Sequence, residues 1–169
     1  DLLSFDRELI LNGQLWRLVS GHFIHQETTH FLVNMLAIVP AIIVFRLYKG
    51  FAPIKLLIYL SIMISLALLV YTPDVNRYCG LSALSNSLIL ICIYTVWLST
   101  RQKWILLFLA AYVVKLLTEN ISQQTILLAT EWPALPSAHL FGALAAIVFI
   151  IMSLSKPVIG KYLKRSSDP

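Results

Sequence analysis

Charged residues make up only 12% of this 169-residue chain, about half the share found in soluble domains. Glycine and cysteine are also scarce, at six and two residues. So little charge excludes a disordered chain, so little glycine excludes a collagen-like chain, and two cysteines exclude a disulfide scaffold. Hydrophobic residues instead fill 59% of the sequence, and the mean hydropathy is +0.81. The composition therefore predicts an α-helical membrane protein.

Long apolar stretches bounded by charges or turn formers predict five membrane spans. The spans run at about 28–46, 54–72, 81–99, 103–119 and 138–155, between an outer loop of residues 1–27 and a tail of residues 156–169. The 120–137 connector carries Glu131 and Trp132, which suits a loop at the membrane interface. We predict an all-α, polytopic membrane helix bundle that forms a single domain over residues 1–169. Because the chain does not start with Met, we expect its numbering to begin inside a longer protein.

The basic residues predict how the spans are oriented, because Lys and Arg are retained on the cytoplasmic side. One side of the membrane carries only Arg7, Arg17 and Arg77, together with nearly all the acids. The other side carries the remaining basic residues outside the spans, which are Arg46, Lys49, Lys55, Arg101, Lys103, Lys156, Lys161, Lys164 and Arg165. We therefore expect the C-terminal tail in the cytoplasm and the 1–27, 73–80 and 120–137 segments on the outer side. This topology accounts for the net charge of +5, so we expect no nucleic-acid partner.

Polar side chains near membrane depth are costly to keep, so each one is a candidate for function. Three groups of them lie at the outer ends of the predicted spans, where they can converge in one helix bundle. They are His22, His25, His30 and Asn34 at the start of the first span, Ser82, Ser85, Asn86 and Ser87 at the start of the third, and His139 at the start of the fifth.

His30 and Asn34 are four residues apart, which puts them on the same face of a helix. Such a pair can aim two hydrogen-bond donors at one point, as the oxyanion of a tetrahedral intermediate requires. The same spacing also fits hydrogen bonds that simply join two membrane helices.

Ser82 lies two residues after Gly80, at the predicted start of the third span, where backbone N–H groups are unpaired. A serine needs a base to become a nucleophile, and His139 stands at the same outer side of another span. Ser82 equally fits a helix N-cap. Gly142 and Ala146 follow His139 on a face of small residues, which favours close packing of the fifth span against the third.

These motifs, taken in order, resemble the rhomboid family of intramembrane serine proteases. The similarity rests on Gly13-Gln-Leu-Trp16-Arg17, on the segment from His25 through His30 to Asn34, on Gly80-Leu-Ser82, and on Ala138-His139-Leu-Phe-Gly142-Ala-Leu-Ala. The last run looks most like the rhombosortase branch, which is associated with proteins that carry a GlyGly-CTERM tail. The resemblance implies a sixth span before Asp1.

The resemblance also implies a role for each matching residue. Ser82 would be the nucleophile and His139 the general base, and no cofactor would be needed. His30, Asn34 and the Ser82 backbone N–H would form the oxyanion hole. The fourth span would be a lateral gate, and the 120–137 connector a cap over the site. A structural group would consist of Trp16, Arg17, His25, Gly80 and Gly142.

Two features of the sequence bear on this mechanism. Ala83 stands where the family pattern Gly-x-Ser-Gly has its second glycine, and we interpret it as a tolerated variant. No acidic residue lies where it obviously orients His139, so we expect a Ser-His dyad without a carboxylate. The implied enzyme cleaves single-span membrane proteins in a bilayer. Its site would open to the periplasmic side of a bacterial inner membrane. The sequence does not define its oligomeric state.

Two other functions also fit parts of the sequence. His22, His25 and His30 suggest a metal-binding membrane protein, but only Glu27 lies near them and no H-E-x-x-H motif is present, so we predict no metal site. A rhomboid-like protein that binds membrane helices without cutting them is the other alternative. The presence of both Ser82 and His139 argues against it.

Overall fold

The computed structural model describes residues 2–49, 52–124 and 135–154. Within these residues the chain forms seven α-helices, a 3-10 turn and one pair of short strands. In chain order the elements are β1 Phe5–Asp6, α1 Arg7–Leu11, α2 Arg17–Ser20, the 3-10 turn Gly21–Phe23, α3 Thr28–Lys49, α4 Ile54–Tyr71, β2 Arg77–Tyr78, α5 Ser82–Thr100, α6 Ile105–Ser122 and α7 Pro136–Leu154.

Five of the helices, α3 to α7, are long and apolar enough to cross a membrane. They contain 18 to 22 residues, which at 1.5 Å per residue gives lengths of about 27–33 Å, close to the thickness of the hydrocarbon core. The predicted all-α bundle with five spans is confirmed. α6 continues three residues beyond its predicted end, to Ser122. The predicted tail of 156–169 lies outside the described residues, as do Glu131 and Trp132 of the connector.

α5 is the central helix of the bundle. More than half of its apolar window is buried, a larger share than in any other described span, and α5 packs against α3, α4, α6 and α7. The surrounding helices turn large apolar side chains outward, as expected where lipid replaces water. Examples of these exposed side chains are Leu36, Leu47, Leu107 and Ile151.

The amino-terminal segment has a structure of its own, although the sequence predicted only a loop there. β1 pairs antiparallel with β2, with Phe5 opposite Tyr78. The Arg7 guanidinium donates to the carbonyl oxygens of Leu68 and Leu69 at 2.8 Å each, and also to those of Thr72 at 2.7 Å and Val75 at 3.1 Å. A helix end leaves such carbonyls without partners. Arg7 therefore caps α4 and fixes the segment over the end of the bundle.

Candidate active site

The start of α5 is shaped by an unusual backbone at Gly80. Its φ is +117°, a value that side chains disfavour, and its carbonyl accepts a hydrogen bond from the Tyr78 hydroxyl at 3.0 Å. The N-cap residue of α5 is Leu81, with no side-chain capping bond, and Ser82 is the first helical residue. The N-cap interpretation of Ser82 is therefore wrong. The Ser82 side chain is not used to cap its own helix.

The His30 and Asn34 side chains of α3 lie beside this turn. A carbon attached to Gly80 would stand 3.0 Å from His30 Nε2 and 3.7 Å from Asn34 Nδ2. Both residues are buried. His30 Nδ1 and Asn34 Nδ2 have no hydrogen-bond partner in the part of the chain that the structure describes. Asn34 thus holds an unused donor next to the backbone that leads into Ser82.

α7 and α5 approach closely just below Ser82. Gly142 leaves no room for a side-chain carbon, since one would collide with the main-chain oxygen of Ala83. Ser87 Oγ lies 2.8 Å from the Gly142 carbonyl oxygen and joins the two helices by a hydrogen bond. Ala83 is fully buried. His139 lies one turn before Gly142 in α7, and Ser82 directly precedes Ala83 in α5, so each lies next to this contact.

A buried carboxylate contacts His139, so the expectation that no acid orients this histidine is wrong. His139 Nδ1 lies 2.8 Å from Glu119 Oε2, and the Glu119 residue is only 1% exposed. This contact could not be predicted from local spacing because the two residues belong to different helices, α6 and α7. A carboxylate only accepts hydrogen bonds, so Nδ1 is the donor, and the lone pair of the neutral ring is then on Nε2.

Glu119 belongs to a larger polar network inside the bundle. Lys115 Nζ donates to Glu119 Oε2 at 2.8 Å and to Asn86 Oδ1 at 3.3 Å. Asn86 Nδ2 donates to the Ser82 carbonyl oxygen at 2.8 Å, and the Tyr112 hydroxyl donates to the Asn86 carbonyl at 3.1 Å. The network therefore runs from the first turn of α5, through α6, to the imidazole on α7.

The sequence carried one signal for this network. Lys115 and Glu119 are four residues apart inside an apolar span, which is the spacing of an ion pair on one helix face. Ionisable residues in membrane spans are functional candidates in general. That pair was the observation from which Glu119 could have been found.

Four helices, α3, α5, α6 and α7, thus bring an amide donor, a serine, a carboxylate and a histidine into one region. Residues 12–156 match the family described as Rhomboid domain. The chain belongs to the rhomboid family. Its members are intramembrane serine proteases that act on membrane proteins within the bilayer. This rhomboid domain is accordingly a multi-pass membrane protein. No curated protein matches the chain.

His22 and His25 hold the outer loop of this rhomboid domain. His22 is fully buried, and its Nε2 lies 3.1 Å from the Ser61 carbonyl oxygen and 3.0 Å from Ser65 Oγ. Burial lowers the pKa of His22 to about 4, against the hydrogen bond to Ser61. The His25 ring packs edge-on against His30 at 5.1 Å. Burial lowers the pKa of His25 as well, and the neighbouring His30 lowers it further.

Trp16 and Arg17 occupy the same loop in different ways. Arg17 is buried, and it donates to the Ser4 carbonyl at 2.7 Å and to Gln14 Oε1 at 2.8 Å. The Trp16 ring is more than half exposed, and its Nε1 donates to the Leu2 carbonyl at 3.3 Å. Arg17 thus ties the loop together, while Trp16 presents an apolar ring to its surroundings.

The charges in the site include the ion pair of Lys115 and Glu119, whose atoms are 2.8 Å apart. His30 interacts electrostatically with both Glu27 and His139. Among the described residues, no group of three His, Cys, Asp or Glu side chains is arranged to hold a metal ion. The chemistry that these groups can perform together is proton transfer at a serine hydroxyl, with donors nearby for a developing negative charge.

Proposed function

We propose that this rhomboid domain is an intramembrane serine endopeptidase that cleaves membrane-anchored proteins near the outer face of the membrane. Ser82 is the nucleophile and His139 is the general base. The observation that carries the proposal is the hydrogen bond from His139 to Glu119, because it leaves Nε2 to act as a base, on a helix that packs against the start of α5. The close contact between Gly142 and Ala83 supports the same pairing of helices.

The oxyanion hole in this proposal consists of His30, Asn34 and the Ser82 backbone N–H. Asn34 Nδ2 supports it, because it is buried without a partner among the described residues and a preorganised donor needs no rearrangement when negative charge develops. The Ser82 N–H belongs to the first turn of α5, where helix N–H groups lack partners within the helix.

The reaction begins when Ser82 Oγ attacks a substrate peptide carbonyl and its proton passes to His139 Nε2. The C–O bond formed leaves a tetrahedral intermediate, whose oxyanion accepts hydrogen bonds from the hole. His139 then gives the proton to the leaving amine as the C–N bond breaks. A water molecule next loses a proton to His139 and attacks the acyl group, and the same proton returns to Ser82 as the acid leaves.

We propose supporting roles for five other residues. Gly80 provides the turn that admits His30 and Asn34, and Gly142 allows α7 to approach α5. Arg17 and His25 stabilise the outer loop, and Trp16 anchors it in the outer leaflet, where amphipathic rings are favoured.

The substrates in this proposal are single-span proteins with GlyGly-CTERM-type anchors. The run from Ala138 to Ala145 supports this choice by its resemblance to the rhombosortase branch. Transfer of the acyl group to an amine instead of water belongs to the same proposal. The distribution of Lys and Arg supports a bacterial inner-membrane location, with the site open to the periplasm and the C-terminus in the cytoplasm.

The test uses the purified chain in liposomes with an anchored substrate that carries a Gly-Gly segment before its helix. Cleavage is compared between the parent, Ser82→Ala and His139→Ala. Ser85→Ala is the matched control, since it makes the same change three residues later, and Ser85 Oγ has no hydrogen-bond partner among the described residues. We expect cleavage by the parent and by Ser85→Ala, and none by the other two variants.

A fluorophosphonate probe gives an independent readout of the activated serine. We expect labelling of the parent that disappears in Ser82→Ala. Undiminished cleavage by Ser82→Ala or by His139→Ala would overturn the assignment. A parent that binds the substrate helix without cutting it would favour the non-proteolytic alternative. Replacing the substrate's Gly-Gly pair by Val-Val tests the anchor preference separately from the chemistry.

A further inference from the structure

We propose that Glu119 is a positioning residue for His139, so that the site works as a Ser-His-Glu arrangement held in place by Lys115 and Asn86. This inference rests on the proposed serine protease function. It adds a third side chain to the pair that the sequence predicted, and that side chain acts through His139 without touching the substrate.

The contact between Glu119 and His139 is both short and buried. The two atoms, Oε2 and Nδ1, are 2.8 Å apart, and the two side chains are 1% and 7% exposed. In such surroundings a charged hydrogen bond is strong, because water does not compete for either partner. The contact fixes both the tautomer and the orientation of the ring. Without it, a neutral histidine is free to carry its proton on Nε2, and it then cannot accept one from Ser82.

Lys115 and Asn86 hold the carboxylate where His139 needs it. An isolated buried carboxylate is very costly, and the Lys115 ammonium at 2.8 Å offsets its charge. The second bond of Lys115, to Asn86 Oδ1, joins this ion pair to α5. Because Asn86 also binds the Ser82 carbonyl, one chain of hydrogen bonds spans the nucleophile and the base. Their relative position is therefore set by side chains as well as by helix packing.

The proposed role of Glu119 in the reaction is electrostatic. When Ser82 attacks, its proton moves to His139 Nε2 and the ring becomes an imidazolium. The positive charge forms on a ring whose Nδ1 is 2.8 Å from the Glu119 carboxylate, which already carries a negative charge. The imidazolium is therefore stabilised more than it would be in an apolar site. Glu119 keeps its charge throughout and receives no proton.

A purely structural ion pair is the competing explanation. Lys115 and Glu119 stabilise each other on α6, and His139 would then be only one more hydrogen-bond partner. Replacing Glu119 by glutamine, its neutral isostere, distinguishes the two explanations. A structural pair affects the amount of folded protein, whereas a positioning role affects the rate of the chemical step in protein that remains folded.

The decisive variant is Glu119→Gln, measured as kcat and KM on the anchored substrate and as the rate of fluorophosphonate labelling. Glu8→Gln is the matched control, since it makes the same change at an exposed position on α1. We expect Glu119→Gln to lower kcat by about 100-fold or more while KM changes less than about threefold. Labelling of Ser82 slows in parallel. We expect Glu8→Gln to match the parent, and Glu119→Asp to recover part of the lost kcat.

Folding is controlled by a second variant, Lys115→Gln with Glu119→Gln, which removes both charges and leaves no lysine unpaired. If the single variant does not purify as folded protein, the same kcat comparison is made with the double variant. A kcat within about threefold of the parent in the folded variant overturns the role of Glu119, while Ser82→Ala remains inactive. Activity retained by Ser82→Ala instead overturns the protease proposal itself. The two failures are therefore distinguishable.

Discussion

Gly142 of α7 packs directly on the main-chain oxygen of Ala83 in α5, with no space between them for a side chain. We predict that Gly142→Ala pushes α7 away from α5 and lowers proteolysis by about tenfold or more, since small displacements of reacting groups are costly. The variant should also be destabilised by about 1–3 kcal/mol, although alanine is the better helix former. Cleavage rate and melting temperature in detergent measure both effects.

Ala111→Val is the control for this prediction. It adds more volume, but on an exposed face of α6, so both measurements should match the parent. Gly142→Ala with the parent's activity and stability would show that α7 has room to move, contrary to the packing described above.

Gly80 and Gly13 give a matched pair of variants. Both have a positive φ, but only at Gly80 would an added methyl group collide with a neighbouring side chain. Their φ values are +117° and +98°. A methyl group on Gly80 would meet His30 at 2.8 Å, whereas one on Gly13 would meet nothing within 4 Å. We predict that each change to alanine costs about 1–2 kcal/mol of stability through backbone strain. Only Gly80→Ala should lose activity, by about 100-fold.

The measurement for this pair is cleavage rate set beside melting temperature for both variants. If Gly13→Ala loses as much activity as Gly80→Ala, strain alone explains the result. The His30 contact would then have no special importance for the chemistry.

Arg7 should contribute more to stability than the exposed Arg77, because its guanidinium binds four carbonyl oxygens, three at the end of α4 and one in the connector that follows. We predict that Arg7→Met lowers the free energy of unfolding by roughly 3 kcal/mol, as expected for the loss of several charged hydrogen bonds. Arg77→Met is the control. Arg77 contacts Asp6 at 3.3 Å but its side chain is 70% exposed, so its loss should cost less than about 1 kcal/mol.

Thermal unfolding in one detergent, followed by circular dichroism, compares these two variants. Equal melting temperatures for Arg7→Met and Arg77→Met would contradict the capping role of Arg7.

The buried His22 is expected to make the stability of the protein depend on pH. Burial lowers its pKa to about 4 in the folded protein, against 6.5 for an ordinary histidine. The unfolded chain therefore binds a proton between these values while the folded chain does not. The contribution of His22 is fully present above about pH 6.5, and it is lost as the pH falls toward 4, by up to roughly 3 kcal/mol.

Melting temperatures at pH 7.5, 6 and 4.5 test this for the parent and for His22→Asn. We expect the variant to be less stable at pH 7.5 but to lose less stability on acidification. A parallel decline in both proteins would assign the pH dependence to other groups.

The positions of the five spans could be predicted from the sequence because the bilayer fixes how long an apolar run must be. Which face of each helix points inward could not be predicted in the same way. A membrane helix is apolar on all sides, so hydrophobicity does not distinguish its lipid face from its buried face. This is why Lys115 could be seen within a span while the partnership of Glu119 with His139 was missed.

The structure of the amino-terminal segment could not be predicted from the sequence for a different reason. Arg7 and its carbonyl partners are more than 60 residues apart, and no local pattern links a charged side chain to the end of a distant helix. The short motifs around Ser82, His30 and His139 were informative because few polar residues occur in the chain at all. Their grouping at the outer ends of α3, α5 and α7 followed from the alternation of the spans.

The attachment of α6 is unequal along its length. From its middle onward, polar bonds from Tyr112 and Lys115 reach Asn86, and Glu119 reaches His139. From Ile105 to Leu117, α6 also borders an apolar cavity of about 520 Å³ between α5 and α7, lined by Leu109, Leu144 and Ile147 among others. Lipid chains can replace apolar contacts there at little cost, whereas nothing in a bilayer replaces the polar bonds. α6 is therefore tied to α5 and α7 by these three polar side chains, and lipid can compete only for its apolar contacts.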